Sequence, residues 1–547
     1  MLRTVSRLVR HGACAAALAV VLTGGGTAAA AAPSGPGQGR ATIAQTRPQA
    51  QSQSQGQGPV VATDAGAVRG LASAGVDEFL GVPYAAPPVG PLRWRPPQPA
   101  SHWSGVREAT AFAPHCAQPA TPYGRGSTSE DCLYLNVFTP SRTASAGRRL
   151  PVMLWIHGGA LVTGESDDYT PQRLVRDGAV VVSINYRLGA LGFLAHPALA
   201  ERSGGPSGDY GLMDQQAALR WVHRNIARFG GDASDVTVFG ESAGGLSVLS
   251  QLASPGAHGL FQRAIVESGA YNLDQASLSS AEAAGESFAA QAGCADQSAD
   301  CLRGLPVSTI LADEDTSGYT PDVDGAVLPR TLRSAFGTGL FNHVPVLDGT
   351  NHDEYRLFVA AAELAGQKVT AANYQASIAG QLGVPAATAA VIAKEYPVGD
   401  YPSPPVALGA VGTDVVFACP ALTVDRLLAP RVPTYAYEFN DENAPQALLP
   451  PVSFPYGAAH ASELQYVFNT ATAPTPGGLD AGQLRLAGAM QREWTGFAAS
   501  GRPGWAPFAA GAGGTIASLV PPAPTRETAS GFAADHHCAF WAALTGR

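Results

Sequence analysis

Ser242 stands between glycines in VFGESAGG (238–245), directly after an apolar run. Glycine at this spacing suits a sharp turn that points the serine outward. The residues before it read as a strand and those after it as a helix, which is the context of a nucleophile elbow. A serine lifted there can attack a carbonyl carbon if a base takes its proton. Oxyanion chemistry also needs N–H donors already in place. One is the N–H of Ala243, and a glycine-rich loop after an earlier strand, HGGA (157–160), can supply others. Where such a turn carries the nucleophile, the chain order runs serine, acid, histidine. The histidines after Ser242 are His258, His343, His352, His460, His536 and His537. His460 is preferred, because PYGAAHASELQYVF (455–468) puts it in a loop of small residues before a helical pattern. His343 and His352 bracket a strand and leave little room for an acid before them. His536 and His537 adjoin Cys538 and a terminal helix, where a structural or exposed role is expected. Position alone leaves five candidate acids open: Asp348, Asp353 and Glu354 after one strand, Asp441 and Glu442 after a later one.

The elements that must position these residues read as alternating strands and helices. PVMLWIHGG (151–159), AVVVSINYRLG (179–189), DVTVFGES (235–242), RAIVES (263–268), VPVLDG (344–349) and TYAYEF (434–439) are strand-like. GLMDQQAALRWVHRNIARFGG (211–231) places Leu212, Ala218, Trp221, Val222 and Ile226 at helical spacing, and the paired glycines stop it. Apolar strands between helices predict a largely parallel sheet covered on both faces. With no internal repeat and no second linker, residues 59–547 read as one large α/β domain.

The N-terminus reads differently. Arg3, Arg7 and Arg10, a short apolar segment (13–22) and small residues (27–32) predict an export signal over 1–32. Residues 33–58, centred on QAQSQSQGQG, read as a disordered linker. No apolar run after the first 30 positions is read as long enough to span a bilayer, so no stable membrane insertion is expected. The chain carries −9 overall, and the five arginines of 1–58, with no acidic residue beside them, leave the remainder at −14. That charge argues against nucleic-acid and anionic-membrane partners. Cys14 lies in the signal; Cys116, Cys132, Cys294, Cys301, Cys419 and Cys538 remain. An even count in an exported chain predicts three disulfides, and spacing alone does not choose the pairing. No cysteine pair has the short spacing of a zinc site, and no metal is expected.

Several blocks together, GVPYAAPPVGPLRWRPP, SEDCLYLNVFTP, IHGGA, NYRLGALGFL, DYGLMDQQAALRWVHRNIARFGGD and VTVFGESAGG, resemble the type-B carboxylesterase/lipase family, which includes the cholinesterases, in family order over nearly all of 60–547. The resemblance implies the α/β-hydrolase fold, a central mostly parallel sheet flanked by helices. It implies that the acid is Glu354 in HDEYRLF, where Tyr355 replaces the family's glycine, and that the histidine is His460 in GAAH. It puts the oxyanion amides on Gly159, Ala160 and Ala243. It pairs Cys116 with Cys132, Cys294 with Cys301, and Cys419 with Cys538. It further implies that Arg93 pairs with Glu130 and that Ser268 supports the acid.

The implied reaction is hydrolysis of a small-molecule carboxylic ester through an acyl-enzyme, with no metal or organic cofactor. With histidine as base, activity is expected to fall as pH drops through about 6 to 7. The loop between Cys116 and Cys132 has Tyr123 as its only aromatic residue and no tryptophan, which disfavours choline esters. A general carboxylesterase for short or medium acyl groups leads. A long-chain lipase, an amide or carbamate hydrolase, and a non-catalytic binding protein on the same scaffold are the alternatives. The sequence leaves oligomeric state open.

Overall fold

The computed structural model describes residues 58–121, 124–141, 147, 149–200, 207–314, 319–446, 448–468, 478–511 and 513–546. The expected export signal, all of the expected linker but Gly58, and Tyr123 lie outside them.

Among the described residues, eleven strands share one sheet. In chain order they are β1 (Leu71–Ser73), β2 (Val76–Pro83), β3 (Tyr134–Pro140), β4 (Leu150–Ile156), β5 (Val180–Ile184), β6 (Gly231–Glu241), β7 (Arg263–Glu267), β8 (Val346–Asn351), β9 (Thr434–Phe439), β10 (Thr515–Leu519) and β11 (Thr525–Thr528). Their order across the sheet is β11-β10-β9-β8-β7-β6-β4-β5-β3-β2-β1. Every pairing from β10 across to β5 is parallel. The strands outside that run pair antiparallel. The sheet is therefore parallel at its centre, where helical crossovers bury both faces, and antiparallel at its edges, where short connections suffice.

Side-chain alternation builds a core on each face. From β4, Val152, Leu154 and Ile156 enter one core, while Met153 and Trp155 enter the other. From β6, Val238 joins the first and Phe239 the second. Helix α1 (Tyr210–Asn225) ends at a short 3-10 turn, Ile226–Phe229, and Gly230 closes it at φ 90°. This is the helix that the spacing of Leu212, Trp221 and Ile226 predicts. Helix α2 (Ala243–Ala253) is buried at every position against the first core. On the other face lies a long helix, Ala481–Ser500, started by an Asp480–Gln483 capping box. The strand expected over 179–189 stops at Ile184, and Gly189–Phe193 is a short helix instead.

One expectation is corrected. The continuous helical run Pro404–Leu428 is long and apolar enough to cross a membrane by length and composition, and most of it is buried inside the protein, as in a core helix. Asp414 and Pro420 interrupt its apolar pattern in the sequence. A π-helical segment, Thr413–Ala418, lies within it, and such segments are frequent at functional sites.

The three implied disulfides form. Cys116–Cys132, Cys294–Cys301 and Cys419–Cys538 have Cα separations of 4.9, 5.7 and 5.4 Å. Arg93 and Glu130 also pair as implied, through Nε–Oε1 at 2.7 Å and Nη2–Oε2 at 2.5 Å. Cys419–Cys538 closes 119 residues and Cys294–Cys301 only 7. The chain-entropy account then predicts unequal losses on replacing each pair by alanine: about 5 kcal/mol for the long loop and about 2.5 kcal/mol for the short one. Thermal melting of the two double variants under non-reducing conditions tests this ranking. Equal melting temperatures would contradict it.

Candidate active site

The turn at Ser242 is built by close backbone approach. Ser242 has φ 56° and ψ −119°, a conformation that L-residues rarely hold without support. Its N–H donates to Glu267 O of β7 at 2.8 Å, and its carbonyl accepts from Leu246 N at 2.9 Å. A Cβ at Gly244 would lie 1.9 Å from Ile156 O, so only glycine lets α2 approach the end of β4 this closely. The spacing of glycines around Ser242 in the sequence reflects this packing.

The HGGA loop lies against the same turn. A Cβ on Gly158 would sit 3.2 Å from Ser242 Cβ. Gly159, Ala160 and Leu161 all have positive φ, at 96°, 61° and 61°. This left-handed run curls the chain back, and Gly159 O accepts from Val162 N at 3.0 Å and Thr163 N at 2.9 Å. The N–H groups of Gly159, Ala160 and Ala243 donate to no acceptor among the described residues. Neighbours fix the loop. Gln118 Oε1 accepts from Thr163 Oγ1 at 2.5 Å and Gly164 N at 2.9 Å. Tyr186 Oη donates to His157 O at 2.8 Å, and its ring stacks on His157 at 4.5 Å. Burial pushes the His157 pKa down to about 4, so its ring is neutral and contacts Gly158 O through Nδ1 at 2.8 Å.

His460 meets Glu354 and none of the other four candidate acids. Their contact, His460 Nδ1 to Glu354 Oε2, is 2.5 Å. Glu354 is fully buried, and its other oxygen accepts from Thr350 Oγ1 at 2.7 Å and Asn351 N at 2.8 Å. Two loops are joined around this contact. His460 N donates to Glu354 O at 3.2 Å and Asp353 N to Ala458 O at 3.0 Å, while Ala458 N donates to Asp353 Oδ2 at 3.0 Å. Asn351 Nδ2 adds a bond to Ala459 O at 2.9 Å. Asp353 is further engaged with Arg356 at 2.9 Å. Asp348 is buried in β8 near Asp425, Asp441 accepts from Tyr466 and Gln483, and Glu442 is exposed. Of the other histidines, His258 contacts Asn342, His343 contacts Gly339 O, and His537 contacts Glu395. His352 and His536 sit among separate carboxylates.

The replacement of glycine by Tyr355 is accommodated. Tyr355 has φ −78° and ψ −8°, a backbone open to any residue. A Cβ on Gly412 would lie 2.2 Å from Tyr355 Cγ, so the missing side chain at 412 makes room for the ring.

Two findings depart from the sequence reading. The Ser268 hydroxyl does not support the acid. Its backbone is left-handed at φ 51°, its N–H donates to Gly349 O at 2.8 Å, and its buried hydroxyl has no hydrogen-bond partner among the described residues. Thr350 and Asn351 do that work, four and three residues from Glu354 along the chain. Glu241 is the second. No hydrogen bond joins Ser242 to His460. The outer nitrogen of the ring, Nε2, lies 3.2 Å from Glu241 Oε1 instead. Glu241 directly precedes Ser242, and that adjacency was its only signal. Further buried acids, Glu267 and Glu463, stand nearby. Glu267 accepts from Trp494 Nε1 at 3.0 Å, and burial pushes its pKa up to about 8. Glu463 accepts from Asn351 Nδ2.

A centrally parallel sheet with a strand–serine–helix turn at the carboxyl end of a central strand is the architecture of the α/β-hydrolases. Residues 57–513 match the carboxylesterase family, and the chain belongs to that family. It is similar to the acylcarnitine hydrolase of Mus musculus, 36% identical over 478 residues, covering 81% of this chain and 84% of that protein. It is likewise similar to the fumonisin B1 esterase of Sphingopyxis macrogoltabida, 37% identical over 461 residues, with 81% and 82% covered. The para-nitrobenzyl esterase of Bacillus subtilis (strain 168) is 35% identical over 480 residues, with 81% and 90% covered. The protein is a carboxylic ester hydrolase.

The electrostatics of His460 have a measurable consequence. Burial alone would lower its pKa, but the charges of Glu241 and Glu354 and the Glu354 hydrogen bond outweigh burial and raise it above its ordinary 6.5. A proton acceptor must be neutral. Any acid limb governed by His460 is therefore displaced upward from that of an unperturbed histidine. Glu241→Gln removes one of these charges and should move the limb of kcat/KM to lower pH. A limb that stays in place in this variant would contradict the assignment.

Proposed function

We propose that the chain is an exported serine carboxylesterase in which Ser242, His460 and Glu354 are nucleophile, general base and orienting acid. The observation that carries this reading is the 2.5 Å His460–Glu354 hydrogen bond, in a protein that also holds Ser242 at a strained turn against the HGGA loop. In the proposed reaction His460 Nε2 accepts the Ser242 proton as Oγ attacks the ester carbonyl carbon. The carbonyl π electrons move to oxygen, which accepts from the N–H groups of Gly159, Ala160 and Ala243. A single such donor is typically worth about 3 kcal/mol. Glu354 fixes the ring and stabilises its cation. His460 then returns the proton to the departing alcohol, and the acyl group remains on Ser242. Water, deprotonated by His460, attacks the acyl carbon and frees the serine. The Ser242–His460 hydrogen bond, absent in the free protein, forms in the substrate complex; such bonds often tighten only there.

The substrate class proposed is carboxylic esters of short or medium acyl chain, with choline esters disfavoured. In support, the Cys116–Cys132 loop brings no tryptophan to bind a choline cation. The named substrates of the relatives also range from acylcarnitine to para-nitrobenzyl esters. Export is supported by three disulfides, which persist in oxidising compartments. The proposed organisation is a signal over 1–32, a linker over 33–58 and one unit over 59–547. Its support is that strands from Leu71 to Thr528 join one sheet.

Initial rates on p-nitrophenyl esters from acetate to palmitate, for wild type and Ser242→Ala, test the reading. The expected result is turnover greatest on short chains and lowered by about 10⁴-fold or more in the variant. A maximum on palmitate would move the protein to the lipases. Equal rates in the two proteins would remove Ser242 from the mechanism.

A further inference from the structure

A second cluster of ionisable side chains stands apart from Ser242. His352 directly follows β8, Glu438 lies in the neighbouring β9, and His536 precedes the terminal helix Cys538–Thr545. One nitrogen of each ring and one Glu438 oxygen all lie within 4.8 Å of one another. The side chains of His536 and Glu438 are 3% and 2% exposed, while His352 is 32% exposed.

Both imidazoles are bonded on both sides. His536 Nδ1 contacts Asp414 Oδ1 at 2.7 Å and Nε2 contacts Glu438 Oε1 at 2.6 Å. His352 Nδ1 contacts Asp353 Oδ1 at 3.0 Å and Nε2 contacts Asp535 Oδ2 at 3.1 Å. A neutral imidazole has a single N–H and cannot donate to two carboxylates. The second nitrogen of each neutral ring then turns a lone pair toward a carboxylate oxygen, a position that a bound cation can bridge. The surroundings are rich in negative charge. Asp353, Asp414, Glu438 and Asp535 contact the two rings, and Glu527, whose pKa burial pushes up to about 8, lies beside Glu438. Arg356, paired with Asp353, offsets one of these charges.

We propose that His352, His536 and Glu438 bind a divalent transition metal of the zinc class, with water completing its coordination. Two imidazoles and a carboxylate suit zinc better than calcium or magnesium, which prefer all-oxygen sets. Asp353 and Asp414, on the outer nitrogens, are placed as the carboxylates that orient metal-bound histidines. Tetrahedral zinc holds its ligand atoms about 3.4 Å apart, so His536 Nε2 and Glu438 Oε1, 2.6 Å apart, open slightly, while His352, the exposed member, closes on them by about 1.4 Å at most from the 4.8 Å limit. The ion's role is structural. It joins the C-terminal segment to the loop of His352 and Asp353, and Asp353 in turn holds the loop of His460.

The other cluster with metal-ligand spacing, His115, Glu165 and Asp167, provides a control. It offers a single imidazole, with an acid on each nitrogen at 2.5 and 2.9 Å, and no second nitrogen ligand.

The test uses the full chain, stripped with EDTA, dialysed against zinc sulfate and passed through gel filtration. The expected result is about one zinc retained per chain by elemental analysis, with melting several degrees above the stripped protein. His352→Ala should retain less than about a tenth of that zinc, and His115→Ala the wild-type amount. Stripped and zinc-treated wild type that match in metal content and melting would overturn the proposal, as would full retention by His352→Ala or loss in His115→Ala. Should His352→Ala not fold, competition between wild type and a chromophoric zinc chelator decides. A dissociation constant below about 1 µM supports the site, and one above about 100 µM overturns it. None of these readouts depends on ester turnover, so the site and the proposed esterase mechanism stand or fall separately.

Discussion

The seam between the Asp353–Glu354 loop and the Ala458–His460 loop is the constraint on which the rest of the candidate site depends. The Glu354 and His460 side chains are 106 positions apart in the chain. Loop closure over that distance carries an entropic cost that one side-chain contact would not offset. Backbone bonds in both directions, the Asp353 carboxylate and the Asn351 amide distribute the task. The seam starts from the sheet: β8 and β9 are parallel neighbours in register from Val346 with Thr434 to Asn351 with Phe439. His352 N continues that ladder to Phe439 O at 3.0 Å. Glu354 is thus delivered from a rigid strand end, and the loop of His460 is bound to it.

The second constraint is electrostatic. Glu241, Glu267, Glu354 and Glu463 are all buried around one imidazole. So many carboxylates cannot all be ionised away from water without compensation. Burial pushes Glu241 up to about 7 and Glu267 to about 8, and raises Glu463 well above the usual range. Glu354 is held by two donors and by His460. The field of these acids also explains the resting orientation of the ring. Its Nε2 faces Glu241, 3.2 Å away, with no bond to the neutral hydroxyl of Ser242.

Much of this was legible in the sequence because it is local. The glycines around Ser242, the HGGA loop and the alternating apolar strands each record a backbone approach or a buried face within a few residues. The acid was not legible from position: five carboxylates were open, and family resemblance alone pointed to Glu354. Contacts that depend on side-chain direction across strands were missed. Ser268 stands at the right strand end, yet its left-handed backbone leaves its hydroxyl away from Glu354, and Thr350 and Asn351 fill the role. Glu241 was hidden in plain view beside Ser242. The His352–Glu438–His536 cluster gave no spacing signal, because its members are drawn together only by strand pairing and the Cys419–Cys538 bridge. The membrane-length helix was masked by Asp414 and Pro420 within its apolar run.

The central claim, that Ser242 is a nucleophile activated through His460 and Glu354, is tested most directly by covalent capture. The protein is treated with a fluorophosphonate, and intact-mass and peptide-mass spectra locate the adduct. One adduct per chain on the peptide containing Ser242, formed far more slowly in His460→Ala, is the predicted result. An enzyme that hydrolyses esters yet carries no adduct on Ser242, or labels equally fast without His460, would contradict the account.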